Sequence, residues 1–569
     1  MEDITNVSLP SRLAVVGVVF AVCLGLAAWG GNSISGSAPW YSVVPPLLAV
    51  CLAFITQKVI FSLAVSVFVG GLLAITPTAL TSVGWVNRLA AGPSYVVAAA
   101  IDPTNLQILG FVVLVMGMIA VLIRSGGLQG IVNKLVHFAY GLRSTQLVTA
   151  VCGLLFFIDD YANTMIIGNT LRPVTDKQRI SREKLAFIVD ATSAPVAGLA
   201  VISTWIGYEV GLFGTTAQSL GINRDGYALF FDALPFRFYC ILMIVFVLAN
   251  ALSGTDYGPM EKAQARARHR KKLLADDATP MTSQAFSSAS PSPNARIRMF
   301  SAVVPIGALF VILIGGLWFD GGGMAKLEES QFAFLSLSNW REVMSASQNS
   351  ILLLVYAAGV GMILAIATAL SSAELKLKEV LTTLVEGFKG SLLPLTILIL
   401  AWSLKGACDG VETGKFLAST VGQVVSPTLF PCLLFIVSGL TAFATGTSWG
   451  TMAILIPTAV PIAFQLDGGT YGIVTMISLG AVLDGAIFGD HCSPISDTTI
   501  MSSISSSCDH IHHVRTQIPY SLTVAAIAVV TGYLPAALGF SPFMGVFIGS
   551  LLIIGLFASL RKVRVSVPS

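Results

Sequence analysis

The stretch FGDHCSPISDTTIMSS, residues 488–503, decides how the rest of this sequence is interpreted. It directly follows GIVTMISLGAVLDGAI, a run that is apolar enough to lie inside a lipid bilayer. Asp490, His491 and Asp497 therefore fall at membrane depth, with Pro494 between the two acids. Ionisable groups and interrupted helices leave polar atoms that hydrocarbon cannot satisfy, so this stretch is expected to line a functional site.

The composition indicates a polytopic membrane protein. Of the 569 residues, 55% are hydrophobic and 11% are charged, whereas soluble proteins average about 25% charged residues. Apolar runs of spanning length recur along the chain, so no separate soluble domain is predicted. MEDITNVSLPSR at the start lacks the basic segment of a signal peptide, which predicts that the first apolar run is retained. The eight cysteines have no CxxC spacing, and no cofactor is predicted.

Hydropathy predicts about twelve membrane crossings, at 12–30, 41–57, 59–79, 105–123, 185–207, 232–253, 299–319, 348–370, 390–404, 472–489, 518–537 and 541–560. Two further segments, 144–172 and 427–466, are irregular. The opening run of the first, about 15 residues, would rise about 22 Å as a helix, which is short of the roughly 30 Å hydrocarbon core. Both segments are predicted to be re-entrant hairpins.

The distribution of basic residues supports these hairpins. If 144–172 crossed the membrane once, the basic loops 124–143 and 172–184 would lie on opposite sides. With two hairpins, most of the 32 Lys and Arg residues fall on one side, which the positive-inside rule assigns to the cytoplasm. Both termini and the basic, Ser/Pro-rich loop 254–298 are therefore predicted to be cytoplasmic.

Two halves of the chain, 41–253 and 299–537, contain short motifs in the same order. FIDDYANTMIIGN corresponds to FATGTSWGTMAIL, and KLAFIVDATSAP corresponds to GAIFGDHCSP. Under the predicted topology the halves run in opposite directions, as inverted repeats of transporters do. The predicted fold is an all-α polytopic membrane protein, an inverted-repeat transporter with two re-entrant hairpins and two broken helices, 185–207 and 472–507. An N-terminal helix, 1–40, and a C-terminal helix with a basic tail, 538–569, flank the repeats.

Three motifs carry a resemblance to a known family. FGDHCSPISDTTIMSS with the following IPY resembles the signature of the NhaC-type sodium/proton antiporter family, and FIDDYANTMIIGNTLRPVTDK and TGTSWGTMAILIP resemble its other characteristic segments. The similarity extends from about residue 41 to about residue 540. The resemblance implies exchange of sodium and protons in a bacterial cytoplasmic membrane, and commonly a homodimer. The long loop 254–298 departs from the family, and some members couple cations to organic acids or amino acids.

The hairpin tips and helix breaks supply the candidate ion- and proton-binding residues. Acids at the breaks are the predicted titrating groups, and hydroxyl, amide and carboxylate oxygens at the tips are hard ligands suited to sodium. The candidates are Asp159, Asp160, Asn163, Thr164, Asp190, Ser193, Thr447, Ser448, Thr451, Asp484, Asp490, His491, Ser493 and Asp497.

Several candidates also have structural interpretations. Asp159 or Asp160 could cap the second helix of its hairpin, because Asp is a good N-cap residue. Asp484 is either a second titrating group or the partner of a buried base. His491 either exchanges protons or forms a hydrogen bond within the break.

Other polar features are predicted to be peripheral. His510, His512 and His513 are expected to be solvated at a helix C-terminal end, and zinc binding there is disfavoured. The run EKAQARARHRKK is expected to orient the chain and to contact anionic lipid, and no nucleic-acid binding is predicted.

Three functions are compatible with these features. The leading one is sodium/proton antiport by competing carboxylates. The second is sodium- or proton-coupled transport or exchange of a small organic acid or amino acid, with helix N-termini holding its charged groups. The third is an intramembrane aspartyl protease, which is disfavoured because FGDH lacks the GxGD pattern. The chain is therefore predicted to be a transporter and not an enzyme.

Overall fold

The computed structural model describes residues 40–56, 58–74, 82–280, 291–347, 349–413, 416 and 425–566. The predicted helix at 12–30, the centre of the loop 254–298 and the last residues of the tail lie outside the described residues. Within them the chain is helical and contains no β-strand.

The helices are numbered in chain order. Those of the first half and the following loop are α1 (Val44–Thr56), α2 (Val59–Ala74), α3 (Ser82–Ile101), α4 (Pro103–Arg124), α5 (Gly127–Leu135), α6 (Leu142–Leu155), α7 (Asp160–Lys177), α8 (Arg182–Ala191), α9 (Ala194–Ala197), α10 (Thr204–Leu220), α11 (Gly226–Ala233), α12 (Phe238–Ser253) and α13 (Gly258–His269). Those of the second half and the tail are α14 (Phe300–Asp320), α15 (Gly323–Glu329), α16 (Leu337–Ala346), α17 (Ser350–Ser371), α18 (Leu377–Gly390), α19 (Leu392–Gly410), α20 (Phe430–Thr445), α21 (Ser448–Leu466), α22 (Ile473–Cys492), α23 (Asp497–Ser505), α24 (His510–Ile527), α25 (Leu534–Ala537) and α26 (Pro542–Ser566).

Many of these helices are suited to a bilayer. Nine helical segments in the described part of the chain are long and apolar enough to cross a membrane, namely Pro103–Arg124, Phe238–His269, Phe300–Asp320, Ser350–Ser371, Leu377–Gly410, Ser448–Leu466, Ile473–Cys492, His510–Ala537 and Pro542–Arg561. Shorter apolar helices, including α1, α2, α6 and α20, accompany them. The predicted class, an all-α multi-pass membrane protein, is confirmed.

The two halves pack against each other reciprocally. Helix α2 contacts α19, and its counterpart α17 in the second half contacts α4. In the same way, the contact between α3 and α19 corresponds to the contact between α18 and α4. The contact between α7 and α23 corresponds to the contact between α21 and α10. An inverted repeat produces this pattern, because each helix contacts the equivalent neighbour of its own counterpart.

Two helix pairs occupy the segments predicted to be hairpins. Helix α6 has 14 residues and α20 has 16, lengths of about 21 and 24 Å that fall short of the hydrocarbon core. The second pair turns at Gly446, whose φ of +68° is left-handed. A Cβ there would lie 2.5 Å from the carbonyl oxygen of Ile495, so the turn requires glycine.

Both predicted helix breaks are present. Helix α22 ends at Cys492 and α23 begins at Asp497, close to the predicted bounds. In the first half α8 ends at Ala191, the single turn α9 follows, and the chain becomes helical again at Thr204. This second part continues to Leu220 rather than ending at residue 207, because most of GYEVGLFGTTA, residues 207–217, is buried in the protein interior and remains helical despite its polar residues.

Candidate functional site

A cavity of about 420 Å³ lies where the two hairpin tips meet the broken helices. We call it the hairpin-tip cavity. The first residues of α7, α10, α21 and α23 contribute its polar wall, which consists of Asp159, Tyr161, Thr204, Thr447, Trp449 and Asp497. The remaining wall is Met116, Gly390, Leu393, Pro394, Ile397 and Met501. The predicted tips and breaks are thus assembled around one space.

The two acids of the first hairpin tip have different surroundings. Asp159 caps α7, with Oδ1 accepting from the Ala162 N–H at 2.7 Å and Oδ2 accepting from the Thr204 hydroxyl at 3.1 Å. Asp160 is buried, and neither of its carboxylate oxygens has a hydrogen-bond partner among the described residues. Asp159 therefore has the geometry of the capping interpretation, whereas Asp160 offers two unpaired oxygens.

Asn163 connects the first tip to the first helix break. Its Nδ2 donates to the carbonyl oxygens of Gly153, Phe156 and Thr192 at 2.8, 3.2 and 3.0 Å. Its Oδ1 is buried and has no partner in the described structure. Asn163 thus holds the hairpin in place and also has a free oxygen, whereas the Thr164 hydroxyl donates to the Tyr161 carbonyl at 2.9 Å.

The second hairpin tip is held by local hydrogen bonds. Thr447 caps α21 by accepting from the Gly450 N–H at 3.3 Å. The Ser448 hydroxyl donates to the Ala486 carbonyl at 3.3 Å, and that of Thr451 donates to the Thr447 carbonyl at 2.9 Å. The hydroxyl oxygens of Ser448 and Thr451 act here as donors and keep both lone pairs as acceptors.

Asp190 joins the first broken helix to α23 and α24. Its Oδ2 accepts from the Thr499 hydroxyl at 3.0 Å and from Gln517 Nε2 at 2.6 Å. Its Oδ1 accepts from the Ser502 hydroxyl at 3.1 Å. His513 Nε2 lies 3.9 Å from the same carboxylate, which is completely buried. The predicted acid at the first break is thus at the centre of a hydrogen-bond network.

The acids of the second break accept fewer side-chain hydrogen bonds than Asp190. Asp490 is buried, its Oδ2 accepts from the Thr498 hydroxyl at 3.0 Å, and its Oδ1 has no partner in the described chain. Asp497 faces the hairpin-tip cavity and accepts from the Tyr161 hydroxyl at 2.5 Å. Asp490 is therefore bonded to the residue that directly follows Asp497 in α23.

The serines at the two breaks and His491 make backbone or side-chain hydrogen bonds. Ser193 donates to the Asp190 carbonyl at 2.9 Å, and Ser493 donates to the Phe443 carbonyl at 2.7 Å. His491 Nδ1 lies 3.0 Å from the Tyr239 hydroxyl, and Nε2 is buried without a partner in the described residues. The structure therefore places His491 beside the break with one free ring nitrogen.

Asp484 is separate from the cavity wall. Its Oδ1 accepts from Arg237 Nε at 2.8 Å, and its Oδ2 accepts from the Tyr239 N–H at 2.6 Å and the Tyr533 hydroxyl at 2.7 Å. Arg237 also lies 3.4 Å from Glu209. Of the two sequence interpretations, the geometry matches the partner of a buried base.

The histidine motif is placed differently from the sequence expectation. His510, His512 and His513 lie at the N-terminal end of α24, and His513 is completely buried. Its Nδ1 is 2.9 Å from the Ser503 hydroxyl and its Nε2 is 3.0 Å from Gln517 Oε1. The expected helix C-terminal end is therefore wrong for all three histidines, and the expected solvation is wrong for His513, because α24 runs into the protein from this point.

Sequence reasoning missed several residues that contact the acids. The omitted residues are Tyr161, Thr498, Thr499, Ser502, His513 and Gln517. A signal was available for one pair, because His513 and Gln517 are four residues apart and therefore share one face of a helix.

Comparison with known proteins gives the same class of molecule. The Na+/H+ antiporter family matches residues 196–535. An uncharacterised protein of Haemophilus influenzae is 28% identical over 530 residues, which cover 93% of this chain and 97% of the relative. The Na+/H+ antiporter NhaC of Alkalihalophilus pseudofirmus is 29% identical over 140 residues, which cover 24% of this chain and 28% of the relative.

A solved structure shares the fold. The YdaH transporter of Alcanivorax borkumensis superposes with a TM-score of 0.53 at 17% identity, covering 89% of this chain and 98% of that one. The family match spans more than half of the sequence, includes the second hairpin and both acids of the second break, and indicates a transporter rather than an enzyme. The chain belongs to the Na+/H+ antiporter family and is a secondary transporter.

Proposed function

We propose that the chain exchanges sodium ions for protons across a bacterial cytoplasmic membrane, with both termini inside, and that Asp160, Asp190, Asp490 and Asp497 bind the two ions. The observation that carries this proposal is the cluster of acids between the hairpin tips. Asp497 accepts a hydrogen bond from Tyr161, which directly follows Asp160. Asp490 and Asp190 accept hydrogen bonds from Thr498 and Thr499, which directly follow Asp497. Carboxylates gathered in a low-dielectric interior repel one another unless cations or protons neutralise them.

The free oxygens indicate where a cation would bind. Asp160, Asp490 and Asn163 all carry buried oxygens that lack partners among the described residues. Carboxylate and amide oxygens are hard ligands, which suit a small hard cation such as sodium. We propose that the cation binds at a subset of these oxygens and the neighbouring tip hydroxyls, and that protons bind the same carboxylates.

Competition for the same carboxylates then couples the two gradients. A protonated carboxyl group has lost the charge that attracts sodium, and a carboxylate that binds sodium holds its proton less well. The interrupted helices supply the polar backbone that such a site needs within the membrane. We also propose a homodimer, for which the family resemblance is the support, and mass measurement of the purified transporter in nanodiscs would test it.

Purified protein in proteoliposomes with an internal pH dye tests the exchange. An outward sodium gradient should drive proton uptake in the wild type, whereas Asp190→Asn and Asp490→Asn should reduce the flux to the level of empty vesicles. Asp409→Asn is the matched control, because Asp409 is an exposed acid that pairs with Lys405. A wild-type protein without sodium-dependent proton flux would refute the proposal, and an active variant would remove its residue from the ion site.

A second candidate, ion-coupled exchange of a small organic acid or amino acid, is favoured by the size of the hairpin-tip cavity. Its volume of about 420 Å³ is within the range of small-molecule pockets and exceeds the needs of a cation. The starts of α7, α10, α21 and α23 could hold a carboxylate, and Asp497 an ammonium group. Labelled lactate, malate and amino acids added to the same vesicles would separate the candidates, since solute uptake that follows the sodium gradient occurs only in the second.

A further inference from the structure

A second cavity, of about 930 Å³, lies on the side of the protein that is predicted to be cytoplasmic. Helix α13 from the loop 254–298 packs there against α8 and α24. We call it the α13–α24 basic cavity. Its charged lining consists of Lys262, Arg266, His269, Arg270, His512 and Arg515, with Glu183 and Asp277 as the acids.

The charges of this cavity do not balance. Arg266 Nη2 binds both oxygens of Glu183, at 2.7 and 2.9 Å. Within the described ranges, Lys262, Arg270 and Arg515 form no ion pair and are exposed. The cavity therefore carries three cationic groups whose charge no neighbouring acid neutralises through direct contact.

Hydrogen bonds hold the cavity wall in place. Gln264 of α13 donates to the Arg179 carbonyl at 3.0 Å and accepts from the Ser181 N–H at 3.1 Å, which fixes α13 at the start of α8. Further along the loop, Thr279 donates its N–H and its hydroxyl to Asp509 at 2.8 and 3.0 Å. Asp509 caps α24. The cavity is thus built between two anchored ends.

We propose that the α13–α24 basic cavity binds a phosphate-bearing anion. Lys and Arg side chains that converge on one space form charge-assisted hydrogen bonds with phosphate oxygens. The positive-inside rule explains why basic residues lie on this side of the membrane, but it requires only that these residues flank the membrane helices. It does not require them to share one cavity with anchored walls. The phosphate group belongs either to an anionic lipid or to a soluble compound.

The first experiment tests a soluble phosphate compound with pyrophosphate as the probe. Thermal unfolding of the full-length protein is followed in nanodiscs of phosphatidylcholine while pyrophosphate is titrated into the solution. A ligand that binds only the folded state raises the melting temperature. The triple variant Lys262→Gln, Arg270→Gln, Arg515→Gln should bind at least about tenfold more weakly, because each lost charge-assisted hydrogen bond is worth about one decade or more in affinity.

The second experiment tests a lipid head group. The protein is extracted from vesicles of phosphatidylcholine and phosphatidylglycerol, and retained phosphatidylglycerol is counted by native mass spectrometry. The triple variant should retain less of it than the wild type. The matched control is Lys177→Gln, Lys376→Gln, Lys378→Gln, which removes three exposed charges from the same predicted side and away from the cavity.

The outcomes distinguish the two sources. Pyrophosphate stabilisation that the triple variant loses and the control keeps identifies a soluble ligand, whereas loss of lipid retention alone identifies a head group. Equal behaviour of the two triple variants in both experiments overturns the proposal. Both readouts measure binding, so they are independent of whether sodium/proton exchange is found.

Discussion

Asp190 and Asp490 occupy matching positions of the repeat but differ in the number of hydrogen bonds that they accept. Asp190 accepts hydrogen bonds from Thr499, Ser502 and Gln517, whereas Asp490 accepts one from Thr498 and retains a free oxygen. Each hydrogen bond to a charged group is worth about 1.5–3 kcal/mol. A sodium ion that reached Asp490 would therefore compete with fewer hydrogen-bond donors than one that reached Asp190.

The neutral residues at the hairpin tips provide a test of where sodium binds. Asn163→Ala removes a free amide oxygen, and Ser448→Ala removes a hydroxyl oxygen. Because neither side chain titrates near neutral pH, each change should weaken sodium binding without moving the pH profile. We expect the sodium concentration for half-maximal exchange to rise, by about tenfold for Asn163→Ala, since this residue also positions the tip carbonyls. Sodium titrations in proteoliposomes at several pH values measure both quantities.

The control for these variants is Thr458→Ala, which removes a hydroxyl of α21 that donates to the Ile454 carbonyl away from the tip. Its sodium dependence should equal that of the wild type. An unchanged sodium dependence of Asn163→Ala and Ser448→Ala, together with a displaced pH optimum, would move the cation site away from the tips and leave the hairpins with a structural role.

The acids of the site were predictable, but most of their partners were not. Asp190 and Asp490 stand out because a carboxylate followed by serine and proline interrupts an apolar run. Tyr161 carries no such signal, and Gln517 is marked only by its spacing of four residues from His513. Their hydrogen bonds to Asp497 and Asp190 join residues more than 300 positions apart, and such pairs depend on packing that one sequence does not display.

Arg237 links several helices through its guanidinium group. It binds Asp484 of α22, lies beside Glu209 of α10 and donates to the Gly198 carbonyl, next to α9, at 2.8 Å. The group is completely buried. The break after α9 leaves carbonyl oxygens without helical donors, and Arg237 satisfies one of them. This ion pair is thus part of the support of the first broken helix.

We predict that Arg237→Met destabilises the protein strongly. Removing one partner of a buried ion pair leaves an uncompensated charge, which typically costs about 3–5 kcal/mol. The double variant Arg237→Met, Asp484→Leu should recover part of the loss, because Asp484 is then also absent and Glu209 is the one acid left without Arg237. Thermal unfolding in detergent measures the series. Exposed Arg296, which pairs with Glu374, provides the control Arg296→Met, with little expected effect.

Asp484→Asn separates the two interpretations of that residue. As an ion-pair partner, its replacement should lower the melting temperature and leave the pH dependence of exchange unchanged in the surviving protein. A displaced pH profile with wild-type stability would instead identify Asp484 as a titrating group.

Hydropathy located most of the long apolar helices and missed helices that are less apolar. Helix α3 was not predicted, because SVGWVNRLAAGPSYVVAAAI contains Arg88, Asn87 and Pro93 and has a low average hydropathy. Helix α18 is similarly amphipathic, yet with α19 it forms the apolar segment Leu377–Gly410. The breaks and short hairpins were predictable, because proline, glycine and acids mark them directly.

The orientation of the chain in the membrane is open to a direct test. The basic loop 254–298 is predicted inside, and the segment between α14 and α17 outside. In a cysteine-free background, Asp276→Cys should be labelled by an impermeant maleimide only after the cells are opened, and Glu328→Cys should be labelled in intact cells. Both side chains are exposed. Labelling of Asp276→Cys in intact cells would overturn the topology.

The reciprocal contacts between the two halves bear on the free energies of two conformations of the protein. If each half took the conformation of the other, α2–α19 and α4–α17 would trade geometries, and the sum of contacts would stay nearly the same. Two such arrangements differ little in free energy, so thermal motion suffices to convert one into the other. The cavity would then open to the opposite side of the membrane. The two breaks differ in length, since one spans 198–203 before α10 and the other spans 493–496 before α23. This difference would determine to which side of the membrane the cavity opens in the resting transporter.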